Sequence, residues 1–250
     1  MKAVYIGLSL AMLTVAFPQS SDAQLLKHLV SKPSISPADS AAAIKNFMTG
    51  TGGGGLLYQF QVVYNFTNKK NGSVIRDTMT LAITDGHNVR SDMGMPGYKM
   101  EVLGHAGMPR YSVIVHPDSK TYVFNIIDTG AINSGGITYQ VTKVGNETVQ
   151  GYNCIHSRLT TITSQQKLGS TNDIWTSTDV PGYTALKKLT RIQGVTPKMS
   201  QALEEAGCGG FIVKMSMQSK ELLMEMLLIG ADRKTFPDAM FRIPAGYTQR

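Results

Sequence analysis

The stretch Tyr58-Gln-Phe-Gln-Val-Val-Tyr-Asn-Phe-Thr67 decides how this chain is read. Tyr58, Phe60, Val62, Tyr64 and Phe66 recur at every second position, with Gln59, Gln61, Val63, Asn65 and Thr67 between them. Successive strand side chains point to opposite faces, so this period puts aromatic groups on one face and mostly polar groups on the other.

The pattern continues outward. Asn71-Gly72 is a strong hairpin turn, and the next strand shows Ile75, Met79, Leu81 and Ile83 on its apolar face. Asp85-Gly86 turns the chain again and Val89–Met95 continues the meander. His116-Pro-Asp-Ser119 separates two more strands, Tyr111–Val115 and Tyr122–Ile127. Further strands are predicted at Ile137–Val144, Cys154–Thr163 and Leu168–Ser177. A last hairpin pairs Phe211, Val213, Met215 and Met217 with Leu222–Ile229. If Ser219-Lys220 is its two-residue turn, Met215 lies opposite Met224. Strands about ten residues apart predict a mostly β (α+β) fold, a single strongly curved antiparallel sheet or half-barrel. Helices are expected to cover its concave side.

Those helices are read from caps. Leu25, Leu26, Leu29 and Val30 are helix-spaced before Pro33. Ser36 can then cap a helix with Pro37 at its first position and Ile44 and Phe47 further on. Near residues 184–206, Leu186 and Leu189 share one side of a first helix. Thr196 and Pro197 open a second, with Met199, Ala202, Leu203 and Ala206 as its apolar stripe and Gly207 as its end. Thr49–Gly55 carries no Gly-Lys-Ser/Thr and reads as a flexible linker.

The N-terminus assigns a compartment. Lys2 precedes an apolar run, Ala3–Phe17, that is short for a bilayer span, and Ser21-Asp-Ala23 supplies a small-x-small cleavage site. No cysteine follows the run, so a lipid-anchored start is not indicated. The expected division is a signal peptide over 1–23, a helical segment and linker over 24–55, and the β-rich domain over 56–250. Cleavage removes Lys2 and Asp22 and leaves the net charge at +7. This balance suits anionic lipid surfaces. Lys69-Lys70 and Lys187-Lys188 with Arg191 form no stripe interleaved with aromatics, so nucleic acid is not an expected partner.

Cys154 and Cys208 are the two cysteines of the chain. In an oxidising compartment a pair tends to be bridged. A disulfide here would close a loop of about 55 residues and contribute roughly 4 kcal/mol. Cys154 and His156 share a strand face, but residues two apart stand roughly 6 to 7 Å from each other, too far for a direct thiol–imidazole bond. The sequence has no Gly-x-Ser-x-Gly elbow and no His-Glu-x-x-His helix, and its carboxylates are dispersed. No catalytic residue, resident metal or cofactor is assigned. Methionine is abundant, at fourteen residues, and recurs as Met93-Gly-Met95, Met215-Ser-Met217 and Met224-Glu-Met226. Thioethers can hold Cu(I), and flexible methionine also fills irregular apolar space and adaptable pockets.

Three segments carry a resemblance. They are Val144-Gly-Asn-Glu-Thr-Val-Gln-Gly-Tyr-Asn-Cys154 with His156, Asp173-Ile-Trp175 followed by Asp179-Val-Pro-Gly-Tyr183, and Phe236-Pro with Ile243-Pro-Ala-Gly-Tyr247. They resemble the motifs of domain-of-unknown-function family 4412, exported bacterial proteins without an established activity. The general look is similar to the lipoprotein-carrier class, in which helices lid a curved sheet over a lipophilic cavity. That likeness implies a lid over 184–206 and a wall built on the Tyr58 strand. The expected function is non-catalytic binding of a hydrophobic small molecule or lipid in the periplasm or outside the cell. Tyr58, Phe60, Tyr64, Phe66, Trp175, Met199, Leu203, Phe211 and Met215 are the expected lining. The alternatives are a Met-rich Cu(I)-binding protein and a structural or adhesive envelope component.

The export reading makes a direct prediction. Intact-mass measurement of protein recovered after secretion should give a chain starting at Gln24, whereas retention of residues 1–23 would remove the compartment assignment.

Overall fold

The alternation that starts at Tyr58 belongs to a longer strand, β1 (Gly55–Asn68). The computed structural model describes residues 44–45, 47–48, 55–84, 88–95, 98–105, 111–126, 138–162, 168–184, 197–218 and 222–250. After β1 come β2 (Val74–Thr84), β3 (Asn88–Met95), β4 (Tyr98–His105), β5 (Tyr111–His116) and β6 (Thr121–Ile126). The second half holds β7 (Thr138–Val149), β8 (Tyr152–Ile162), β9 (Leu168–Ser177), α1 (Pro197–Glu205), β10 (Phe211–Gln218), β11 (Leu222–Phe236) and β12 (Thr248–Gln249). All 12 strands join one curled, open sheet, ordered β12-β6-β5-β4-β3-β2-β1-β11-β10-β9-β8-β7. Two antiparallel meanders, β1–β6 and β7–β11, meet where β1 pairs with β11.

The curl is visible in one contact. Phe60 of β1 and Phe211 of β10 are separated by the intervening β11, a distance of about 10 Å on a flat sheet. Their rings nonetheless stack with centroids 4.6 Å apart, because side chains converge inside a curve. Bulges help to bend the strands: the β1–β11 register slips between Gln61 and Val62, and the β7–β8 register slips between Lys143 and Gly145. The inner face buries one continuous cluster that runs from Ile114 of β5 through Leu81, Phe60 and Leu228 to Ile174 and Leu159.

The back of β4–β6 is also covered, by Phe47 and the C-terminal segment. Phe47, Leu103, Val113, Val115, Tyr122 and Ile243 form a second cluster there, and the Ile243 N–H donates to the Phe47 carbonyl at 3.0 Å. Arg90 holds the same segment with a bond to the Met240 carbonyl at 2.9 Å while pairing with Asp92 and Glu101. β4 has no counterpart among the expected strands: Met100 and Val102 turn inward, but Leu103 buries outward among Lys99, Glu101 and His105, which breaks the simple alternation. The chain end then lies parallel along β6, Thr248 beside Thr121, which shields that edge.

Among the described residues, one helix of the expected pair is present. α1 packs against β7 and buries Met199 and Leu203 in the inner cluster. It closes as expected at Gly207, which has a positive φ of 67°. The Cys208 N–H reaches back to the Leu203 carbonyl at 2.7 Å and the Gly207 N–H to the Glu204 carbonyl at 2.9 Å, a Schellman end. The first helix expected near 184–192 lies almost wholly outside the described residues, as do the signal peptide and most of the linker. Among the described residues, α1 is the helix that packs on the concave side.

Two further expectations are corrected. The β10–β11 register pairs Gln218 with Leu223, so Met215 faces Met226 and Met217 faces Met224. The connection is two residues longer than a two-residue turn, which moves every pair by two positions and keeps every side chain on its face. Cys154 and Cys208 are free, buried thiols rather than a disulfide. Cys154 pairs with Glu147 and shares the outward face of β8 with His156, whereas the Cys208 thiol donates to the Ala206 carbonyl at 3.4 Å and lies near Ser157, an inward residue of β8. A bridge would have to cross the sheet.

Burial pushes both thiols above the usual cysteine range. The folded protein should therefore be inert to an aromatic disulfide reagent at neutral pH and should titrate two thiols on unfolding, with a melting temperature indifferent to reductant. An unfolded, unreduced chain that titrates none would establish the bridge.

Candidate binding face

Register aligns the inner face into rows that cross the sheet. One row runs Asp77 (β2), Tyr64 (β1), Met226 (β11), Met215 (β10), Ile174 (β9) and Ser157 (β8). The neighbouring row toward the β1–β2 turn runs Ile75, Phe66, Met224, Met217, Asn172 and Leu159. On the other side of the first row stand Met100, Met93, Met79, Val62 and Leu228. All of the methionines in these rows are buried. Unbranched thioether side chains adapt to irregular apolar shapes, so this face is deformable where Leu or Ile would be stiff.

The expected lining residues divide into two groups. Phe60 and Phe211 are fully buried against each other and act as packing. Tyr58 is half-buried beneath the segment after β9, which passes so closely that Gly182, with a positive φ of 84°, has no room for a side chain beside the ring. Met199 and Leu203 bury in the same cluster from α1. Tyr64, Phe66 and Met215 lie toward the other end of the strands, where the face opens. There Phe66 is half-buried, Ile75 is 56% exposed and its neighbour Val74 59% exposed.

Trp175 stands apart from the wall. It follows Ile174 by one position and so points outward, paired in register with His156 and Lys214. Its ring stacks on His156 with centroids 4.3 Å apart, Lys214 Nζ lies 4.3 Å from its centroid, and its indole N–H donates to the Glu147 carboxylate. His156 Nε2 meets Asp173 at 3.0 Å, and Arg158 meets the same carboxylate at 3.3 Å. The Cys154–His156 face thus carries a ladder of paired charges around one aromatic ring.

The inner face holds one residue that the sequence reading passed over. Asp77 is 2% exposed, inward-facing and opposite Tyr64. Its Oδ1 accepts the Thr78 backbone N–H at 2.7 Å. Burial pushes its carboxyl above the usual carboxylate range, and the Thr78 bond partly opposes that. Burial, with the Asp77 charge adding to it, also raises the Tyr64 phenol, whose hydroxyl is directed at Met79 Sδ, 4.0 Å away. The signal was the gap in the series Ile75, Met79, Leu81, Ile83: an acid occupies an inward position of an otherwise apolar strand.

A search of curated proteins finds no sequence match. Among solved structures the chain is similar to MucB in complex with MucA(peri), at 14% identity and a TM-score of 0.37, covering 84% of this chain and 60% of that one. It is similar also to a LolA-superfamily protein from Nitrosomonas europaea, at 8% identity and a TM-score of 0.37, covering 83% and 98%. A third likeness is to a putative outer membrane lipoprotein-sorting protein domain from Vibrio parahaemolyticus, at 10% identity and a TM-score of 0.30, covering 81% and 94%. Residues 68–247 match the domain of unknown function DUF4412, a span from the last residue of β1 to the residue before β12 that takes in β2–β11 and α1. The chain belongs to the DUF4412 family.

Proposed function

We propose that this chain is a non-catalytic protein of the bacterial envelope that holds a hydrophobic or amphiphilic molecule against the inner face of its sheet. The observation that carries this reading is the run-out of the apolar face into solvent. The row Ile75–Phe66–Met224–Met217 begins with an exposed side chain and ends among buried, adaptable ones. A face built for packing alone has no reason to continue past its cover. In this reading residues 1–23 direct export, residues 24–55 lead into the β-rich domain, and the segment 184–206 is the cover, with α1 as its described part.

The copper alternative rested on the three Met-x-Met pairs, with Met215 expected opposite Met224. The observed register sets Met215 opposite Met226 and Met217 opposite Met224, all four buried in the apolar inner face, and nothing favours a bound copper ion over packing there. The methionines instead spread along the rows as lining.

The opening sits beside a basic hairpin. Lys69, Lys70 and Arg76 are exposed next to Val74 and Ile75. Lysines close to an anionic lipid surface contribute about 1 kcal/mol each, so this corner would rest on the membrane from which the ligand is taken.

Native mass spectrometry of the exported protein, purified without detergent, should show extra mass that extracts into organic solvent. A cooperatively melting Phe66→Asp variant should lose it. A clean apo mass after incubation with envelope lipids, or a mass gain equal to copper alone, would overturn the reading. Lys69→Glu with Lys70→Glu should in turn reduce sedimentation with phosphatidylglycerol-containing vesicles at low salt. Unchanged sedimentation would remove the hairpin from the membrane contact.

A further inference from the structure

We infer that the molecule held on the inner face carries a protonated amine in its head group, and that the carboxylate of Asp77 receives it. This rests on the binding reading above and narrows it to a class of ligand. Asp77 stands one row in from the exposed rim at Ile75 and Phe66, directly opposite Tyr64. An amphiphile entering past that rim would put its head group near Asp77 and its chain along the methionine rows.

A carboxylate in an apolar wall is costly unless a donor or cation compensates it. Among the described residues, Asp77 has one such donor, the Thr78 amide on Oδ1, and no basic side chain pairs with it. The acids of the outer surface are treated differently. Asp92 and Glu101 share Arg90, and Asp173 takes both His156 and Arg158. Among the described residues, the inner acid thus has a backbone donor but no cationic partner, at the position where a ligand head group would lie. Its partner in register, Tyr64, adds a phenol ring against which an ammonium is favourably placed. A ligand carboxylate or phosphate would meet Asp77 as a like charge.

The net charge makes the idea sharply testable, because a protein at +7 attracts anionic amphiphiles in general. Preference for an amine would therefore run against the background. Isothermal titration of the mature protein with dodecylamine and with dodecanoate, both kept below their micelle concentrations at neutral pH, compares equal chains with opposite heads. Dodecylamine should bind tighter by roughly tenfold or more, the size of one charge-assisted hydrogen bond. In a cooperatively melting Asp77→Asn variant, which keeps the shape and the acceptor for Thr78, that preference should vanish while dodecanoate binding persists or improves. Dodecanoate binding to the wild type as tightly as the amine would overturn the amine inference and leave the carrier reading standing. Preference that survives in Asp77→Asn would overturn the assignment to Asp77. Binding of neither probe would overturn the inference together with the reading beneath it.

Discussion

The antiparallel pairing of β1 with β11 is the constraint on which the rest depends. It runs from Gly55 opposite Phe236 to Asn68 opposite Leu222, so the first strand of the sheet closes against the last long one. Each meander builds by local hairpins, but this seam joins segments more than 150 positions apart and must close a long loop before it gains any contact. Once formed, it aligns the rows that cross the sheet. The Phe60–Phe211 stack, worth about 0.5 to 1.5 kcal/mol beyond its buried area, draws the two halves into the curl. The bulge at Gln61/Val62 lets β11 follow that bend without turning Val62 or Leu228 out of the core.

Much of this was legible in the chain because period two is a direct readout of a one-sided sheet. β1, β2, β10 and the hairpin around Pro117 follow from alternation and turn residues. So does the end of α1 at Gly207. What alternation cannot show is the partner of each strand. The seam is nowhere written locally, and the length of the β10–β11 connection shifts pairing by two without disturbing either strand's pattern. β4 was lost for a related reason: its outward series Lys99, Glu101, Leu103, His105 is interrupted by the buried Leu103, which joins Val102 in an apolar pair that blurs the alternation. The cysteine pair misled because compartment favours a bridge, while the parity of β8 turns Cys154 outward and the end of α1 sets Cys208 near Ser157, an inward residue of β8.

The candidate lining residues take different places in the fold. Aromatic size singled out Phe60, Phe211 and Trp175, yet the first two are packed against each other and the third faces outward. Asp77 is a single acid in the otherwise apolar series Ile75, Met79, Leu81, Ile83, and its inward position opposite Tyr64 follows only from the register. The two faces of the sheet also differ in how they treat charge. Outside, carboxylates are shared among Arg90, Arg158 and His156 within ordinary contact distance. Inside, Asp77 lies among Tyr64 and Met79 with a backbone amide for company.

This contrast suggests a division of labour along the strands. At the Phe60 end, aromatic and branched side chains are buried against one another, and Gly182 lies so close to Tyr58 that a Cβ there would meet the ring. Such packing fixes the curl and would resist a guest, since opening it forfeits tightly made contacts. At the Met224 end, the lining is flexible, one edge is exposed, and a polar anchor is set one row deep. A ligand there needs rotamer changes in methionines rather than a breach of the core. The stiff end can therefore hold the fold while the soft end keeps its adaptability, which is the physical condition the proposed binding reading requires: a face that would select a head group at Asp77 and tolerate tails of different length.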